Sequence, residues 1–503
     1  MSEEKGLGTR AIRGMAWAYG AFVGGRILGL VATAILARLL TPKDFGLVAL
    51  ALIFTTLLDA IRDLGLGQAL IVASPEEEHE RAQTVFGWSV VLGVTITALM
   101  AALSAPAAAF FHEPQLKGML PVLGASFTLR ALGTTHYSLA RKHLHYRVRT
   151  VSELTEVTVR GVAGIALALT GFGAWSLILA FVAGVAASTT MLWIMVDFRP
   201  RFTLMRTHLG DLLRFGGVLT LVDLAAVIYY NLDYIFVGRI LGAAQLGLYT
   251  IGFRIPELVV LNLAYVAGDV LFPAYSELEP SRLREGYQIS VRYTAMLTMP
   301  ITAGLIVLSE PLILVAFGER WRASIGVTQV IAVSTLLATM SIPPGTVLKV
   351  TRQAYLMVLF SVPMLFALAA LLTIFTNRGI ETVAWATTAV QAAMLPVQTT
   401  VVARQLNVSV AQLGRLLLIP LLGSLAIAAA LFPIERAIVQ PVLALVVGIA
   451  AGTLVYMAVL LLFARDDLRR LWWTAFPSSA PTPVPAGVAR IFENEAEARA
   501  NGF

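Results

Sequence analysis

Apolar positions run through this chain in stretches too long for a soluble fold. Six of them contain no Asp, Glu, Lys or Arg at all: 82–112, 161–196, 323–348, 353–377, 416–434 and 437–464. Crossing the hydrocarbon core of a bilayer takes about 20 helical residues. A transmembrane barrel would instead show short segments of alternating polarity, and the sequence has none. The pattern predicts an all-α polytopic membrane protein of about fourteen transmembrane helices. Their centres fall near residues 27, 59, 97, 127, 161, 185, 228, 259, 302, 334, 364, 391, 424 and 450.

Short loops punctuate the apolar runs at Thr41-Pro42-Lys43-Asp44, His112-Glu113-Pro114, Gly171-Phe172-Gly173, Gly242-Ala243-Ala244, Phe317-Gly318-Glu319 and Phe432-Pro433-Ile434. The remaining loops are longer and basic, among them residues 141–149 and 199–214. With both termini on one side, most of the 37 lysines and arginines fall on that side. This asymmetry predicts cytoplasmic termini and cytoplasmic basic loops. Residues 1–13 are polar and the apolar stretch after them is too long for a signal h-region, so no cleavable signal is expected.

An internal repeat occurs at a spacing of 201 residues. Ala37-Arg38-Leu39-Leu40-Thr41-Pro42-Lys43-Asp44-Phe45-Gly46-Leu47 aligns with Gly238-Arg239-Ile240-Leu241-Gly242-Ala243-Ala244-Gln245-Leu246-Gly247-Leu248, and Arg13 falls on Arg214. An even number of predicted helices separates the matched points, so the copies share one orientation. That defines a parallel repeat about an axis along the membrane normal. The expected organisation is an N-terminal lobe over residues 1–200, a second lobe over 201–404, two further helices over 405–464 and a cytoplasmic tail over 465–503. The tail opens with a Pro/Ser-rich linker and is expected to be partly disordered.

Composition agrees with this reading. The chain is 58% hydrophobic and only 13% charged, about half the soluble norm of roughly 25%; its mean hydropathy is +0.79. With no cysteine, disulfides and thiolate metal sites are excluded. Six histidines show no metal-ligand spacing, so neither a metal nor another cofactor is expected. The net charge of +7 records topology rather than an anionic partner, and no nucleic-acid partner is implied. The sequence has no G-x-x-x-x-G-K-[ST] phosphate loop, which argues against an ATP-driven pump. No nucleophile–base constellation supports an enzyme.

Against this apolar background, charges inside predicted spans are informative. Each costs roughly 2.5–3.5 kcal/mol at mid-bilayer depth on insertion scales. A chain keeps them where they face one another, a water-filled cavity or a charged substrate. Arg26 lies in the first predicted span, amid Gly20, Gly24, Gly25 and Gly29, whose small-residue spacing suits close helix approach or leaves room for a ligand. No acid lies within two turns of it. Two readings stand, a substrate phosphate or an interhelical pair with Asp59 or Asp63. Asp59, Arg62 and Asp63 share one helix face at i, i+3, i+4. Glu153, Glu156 and Arg160 repeat that spacing nearer a cytoplasmic end, where self-neutralisation is expected. Arg130 has no acid close by on its own helix and either binds substrate or snorkels. Arg254 and Glu257 flank Pro256, which predicts a kinked, mobile eighth helix. Asp223 and Asp233 lie nearly three turns apart on the seventh, with tyrosines nearby; ion coupling and pairing with Arg254 or Arg26 are the alternatives.

Several stretches resemble a known family. They are Leu39-Leu40-Thr41-Pro42-Lys43-Asp44-Phe45-Gly46-Leu47, Asp63-Leu64-Gly65-Leu66-Gly67-Gln68-Ala69-Leu70-Ile71, His143-Leu144-His145-Tyr146-Arg147, Arg199-Pro200-Arg201 with Leu213-Arg214-Phe215-Gly216, and Val270-Leu271-Phe272-Pro273-Ala274. Together they resemble the O-antigen/exopolysaccharide flippases of the multidrug/oligosaccharidyl-lipid/polysaccharide superfamily, over roughly residues 9–462. The resemblance implies two pseudo-symmetric six-helix lobes, two extra C-terminal helices and a cationic central cavity. It implies transfer of a polyprenyl-diphosphate-linked oligosaccharide from the cytoplasmic to the outer leaflet of the plasma (inner) membrane. The implied mechanism is alternating access, for lipopolysaccharide or exopolysaccharide biosynthesis, and a polysaccharide polymerase with its chain-length machinery would be the partner. Related flippases carry cavity arginines on their first, second and eighth helices, which hold Arg26, Arg62 and Arg254 here; Arg130 is a further candidate.

The physical chemistry suits this expectation. A diphosphate carries about two negative charges, and guanidinium groups bind phosphate oxygens in bidentate fashion. One rival is a multidrug or toxic-compound cation antiporter of the same superfamily, which should favour carboxylates and aromatics over arginines and lack the helices after Arg404. The other, a polymerase or glycosyltransferase, would need long hydrophilic loops that the chain lacks.

Overall fold

The computed structural model describes residues 24–62, 66–71, 74, 76–204, 224, 227–467 and 469. Among these residues every regular element is helical. The first helices are α1 (24–39), α2 (Pro42–Arg62), α3 (Leu66–Ile71), α4 (Glu78–Phe111), α5 (Leu116–Lys142), α6 (Tyr146–Leu169) and α7 (Ala174–Met195). Next come α8 (227–236), a π turn at Val237–Leu241, α9 (Ala243–Pro256), a second π turn at Glu257–Leu261 and α10 (Asn262–Glu277). The remaining helices are α11 (Pro280–Val307), α12 (Ser309–Ala316), α13 (Ser324–Met340), α14 (Ile342–Val350), α15 (Tyr355–Phe375), α16 (Ile380–Gln405), α17 (Val410–Ala437) and α18 (Pro441–Phe463). Eight spans among the described residues are long and apolar enough to cross a membrane. The chain is an all-α, multi-pass membrane protein.

The helix boundaries follow local chemistry. Thr41 caps α2: its backbone N and its hydroxyl both donate to Asp44 Oδ2, at 2.9 and 2.6 Å, while Asp44 N donates to Thr41 Oγ1 at 3.3 Å. That satisfies donors a helix start leaves open. His112 adopts the left-handed conformation (φ 56°) just past α4, where its N–H caps the last carbonyls. Two sequence expectations need correction. Phe432-Pro433-Ile434 is not a loop, because α17 continues to Ala437 and the break falls between Ile438 and Gln440. Pro433 removes the hydrogen bond to the carbonyl four residues before it, and the helix continues past it for one more turn. At Pro256 the helix does not simply kink: the missing N–H is absorbed by the π turn, and α10 follows directly.

The described chain divides into two compact units. The first holds residues 24–250 with Ala369–Val383, and the second Ile251–Leu368 with the residues from Ala384 onward. Small residues let helices approach closely in both. In the first unit, a Cβ on Gly124 of α5 would lie 2.8 Å from Met100 Cβ of α4, and Thr97 Oγ1 donates to the Gly124 carbonyl at 2.7 Å. In the second, a Cβ on Gly448 of α18 would lie 2.6 Å from Leu308 Cδ2, and Tyr456 Oη donates to the Met296 carbonyl at 2.5 Å. Burial is uneven: half of the apolar window of α2 is inside the protein, against 17% for α15 and α18. Residues such as Val446 and Leu454 on α18 therefore present a lipid-facing surface.

Candidate functional site

Two groups of charged side chains stand inside the first unit. On α2, Arg62 Nε lies 3.1 Å from Asp59 Oδ1, so the i, i+3 spacing yields an ion pair. Both atoms are shielded from solvent, yet their geometry is not that of a hydrogen bond. Arg62 also lines a small, partly open pocket with Ser89 of α4 and Ala131 and Thr134 of α5. Its room of about 20 Å³ suits a water-sized guest.

One helix away, Arg130 Nη2 donates to Glu156 Oε1 at 2.8 Å, joining α5 to α6. The Arg130 guanidinium lies 5.6 Å from the Phe181 ring centre of α7, and that of Arg160 lies 5.7 Å from it. The acids of the Glu153–Glu156–Arg160 group thus reach beyond their own set. Glu156 takes Arg130, and Glu153 accepts from Arg149 Nε at 2.8 Å and Tyr137 Oη at 3.3 Å. Arg130 does not merely snorkel to an interface.

Arg26 is exposed on α1. Of the glycines near it, Gly25 and Gly29 face α6, where a Cβ would lie 3.5 Å from Leu154 Cδ2 and 4.0 Å from Val157 Cγ1, whereas a Cβ on Gly24 would meet open space. Of the acids proposed as its partners, Asp59 faces Arg62, and Asp63 lies outside the described residues. Asp223 also lies outside them. Asp233 is buried on α8, and its contacts are neutral: Tyr249 Oη of α9 donates to Oδ2 at 2.6 Å and Tyr234 N to Oδ1 at 2.9 Å. Tyr249 was not a sequence candidate. The signal was present, since the two residues lie at similar distances on either side of the Gly242 turn.

In the second unit, Arg254 and Glu257 straddle the change from α9 to the π turn. Their closest approach is 3.5 Å, with side chains 34% and 39% exposed. The two residues flank Pro256 where the π turn begins and meet only at the edge of hydrogen-bond range. Among the described residues no group of three or more His, Asp or Glu is placed to hold a metal ion. Outside the spans, on the loop after α12, hydrogen bonding to Arg322 holds the Glu319 carboxyl below the usual carboxylate range.

Apolar helices that carry partly exposed arginines, an internal repeat and two further lipid-exposed helices define a polytopic membrane-protein fold. The solved structure of lipid II flippase MurJ, in an inward closed conformation, matches it with a TM-score of 0.74 at 15% identity, over 90% of this chain and 100% of that one. An inward-facing multidrug resistance MATE transporter of the MOP superfamily matches with a TM-score of 0.60 at 16% identity, over 76% of this chain and 94% of the other. Residues 35–326 match the model of a family described as polysaccharide biosynthesis protein, and the chain belongs to that family. Succinoglycan biosynthesis transport protein ExoT of Rhizobium meliloti (strain 1021) is 27% identical, over 95% of this chain and 98% of its own length.

Proposed function

We propose that this protein moves a polyprenyl-diphosphate-linked oligosaccharide from the cytoplasmic to the outer leaflet of the plasma membrane by alternating access, supplying surface or extracellular polysaccharide synthesis. Arg26, Arg62 and Arg254 receive the diphosphate, and the polyprenyl tail stays in lipid. The observation that carries this reading is the Arg254–Glu257 pair, a guanidinium that meets Glu257 at 3.5 Å and is still a third exposed. A cation in that state retains donors for phosphate oxygens, which bind guanidinium in a bidentate fork. Family membership and the named transport protein support the glycan as cargo. Arg130, held at 2.8 Å by Glu156, is assigned to structure.

Residues 1–200 and 201–404 act as the two halves of the transport cycle, with 405–464 attached. Both termini are cytoplasmic, as the basic loops favour. Asp233, with the carboxylates Asp59, Asp63, Asp223 and Glu257, supplies charge balance or ion coupling, and a polymerase with its chain-length machinery consumes the product. The rival drug-antiporter reading shares the fold, but the family and the arginine set favour the flippase. Arg26→Ala and Arg254→Ala are expected to abolish glycan export while the protein remains inserted in the membrane. Normal export by both variants would remove the arginine assignment.

A further inference from the structure

The turn between α5 and α6 carries an apolar side chain where a helix end usually places glycine. Leu144 has φ 54°, in the left-handed region that leucine seldom adopts. Two bonds fix its place: His145 N donates to the Ala140 carbonyl at 2.8 Å, and Leu144 N donates to the Arg141 carbonyl at 3.1 Å. Together they close a Schellman cap on α5. Among the described residues, His112, Arg352 and Asn407 are the other non-glycine positions with this conformation, and all three are polar. Leu144 is 65% exposed, so its side chain gains little from packing within the protein. Tyr146, on the same turn, is exposed as well.

The cations around these two residues differ in state. Lys142 and His143 both meet Glu78, at 2.7 and 3.0 Å, and Arg149 meets Glu153 at 2.8 Å. Arg141 and Arg147 stand at i−3 and i+3 from Leu144, are exposed, and form no ion pair among the described residues. An apolar tip between two open guanidinium groups matches an anionic lipid surface, whose phosphates lie just above its acyl chains. Depth agrees with this match. Helix α6 has 24 residues, roughly 36 Å at the helical rise, against a hydrocarbon core of about 30 Å with headgroup layers of about 5–7 Å on each side. With the far end of α6 at one edge of the core, Tyr146 and the turn before it reach the opposite headgroup layer.

We propose that the α5–α6 turn is a membrane-surface anchor: Leu144 and Tyr146 enter the headgroup layer of the cytoplasmic leaflet, and Arg141 and Arg147 bind the phosphates of anionic phospholipids. The choice of leaflet rests on the topology in the reading above. Glycine at position 144 would suit the backbone better; leucine serves there because lipid, not protein, covers it. The anchor holds the end of α5 and the start of α6 at the height of the leaflet from which the cargo is drawn.

The chain contains no cysteine, so Leu144→Cys creates a single labelling site. A nitrobenzoxadiazole fluorophore there, on the full-length protein in proteoliposomes, should show blue-shifted emission and be quenched by lipids carrying a nitroxide near the headgroup. Vesicles containing phosphatidylglycerol should quench it more than vesicles of phosphatidylcholine alone, and Arg141→Gln with Arg147→Gln should remove that difference. The same fluorophore in Asn407→Cys, at an exposed polar position of the same backbone conformation, should emit as in water. Water-like emission from position 144 in both vesicle types, or equal quenching at the two positions, would overturn the anchor. So would shielding found in cell membranes but not in lipid vesicles, which would make the occupant a protein. Failure of the topology looks different: a membrane-impermeant thiol reagent would modify the Leu144→Cys variant from outside intact cells, with depth and lipid dependence as described.

Discussion

Two arginine–glutamate pairs in this protein have the same composition and different states. Arg130 and Glu156 meet at 2.8 Å across α5 and α6, with Phe181 against the guanidinium. Arg254 and Glu257 flank Pro256 where a π turn begins and meet only at 3.5 Å, with both side chains more than a third exposed. The first pair joins two helices, and its charges are consumed by that task. The second leaves donors of the guanidinium open. A charge inside a membrane segment therefore signals function only after its partner's geometry is known, because insertion cost falls on both pairs alike.

The comparison can be broken in a definite order of effect. Arg254→Ala should abolish surface glycan, measured by glycan staining of cells in which the variant is inserted at normal levels, and should change thermal stability by less than about 0.5 kcal/mol. Arg130→Ala should do the reverse: it leaves Glu156 without its cation and costs about 3 kcal/mol, read as a lowered melting temperature of the purified protein. Replacing both, as Arg130→Met with Glu156→Leu, should recover most of that loss and retain export. Arg254→Lys should retain partial export if charge alone serves the diphosphate, and little if the bidentate fork is needed. Glu257→Gln should have the smallest effect, under about 0.5 kcal/mol on stability, since an exposed pair contributes little. Equal stability losses for Arg254→Ala and Arg130→Ala would erase the distinction.

The helical membrane fold was legible because long charge-free runs admit few other solutions. So was the repeat, since the helices it marks begin at Pro42 and Ala243. Partnerships were harder to read. The Asp59–Arg62 pair follows from spacing on one helix, but Arg130–Glu156 and Asp233–Tyr249 join different helices and depend on how those helices dock. Proline was ambiguous in both directions. Pro433 lies inside α17, where a loop was expected, and Pro256 introduces a π turn where a kink was expected. In each case the neighbouring apolar residues keep the chain helical, because lipid offers no partner for a freed backbone group.

The most direct measurement of the central claim is leaflet transfer in proteoliposomes containing a fluorescent polyprenyl-diphosphate oligosaccharide, read by its accessibility to a membrane-impermeant glycosidase. Protein-dependent transfer that is lost in Arg254→Ala and Arg26→Ala, and retained in the Arg130→Met/Glu156→Leu variant, is the predicted result. No protein-dependent transfer of the glycolipid, together with counter-transport of organic cations by the same vesicles, would contradict it.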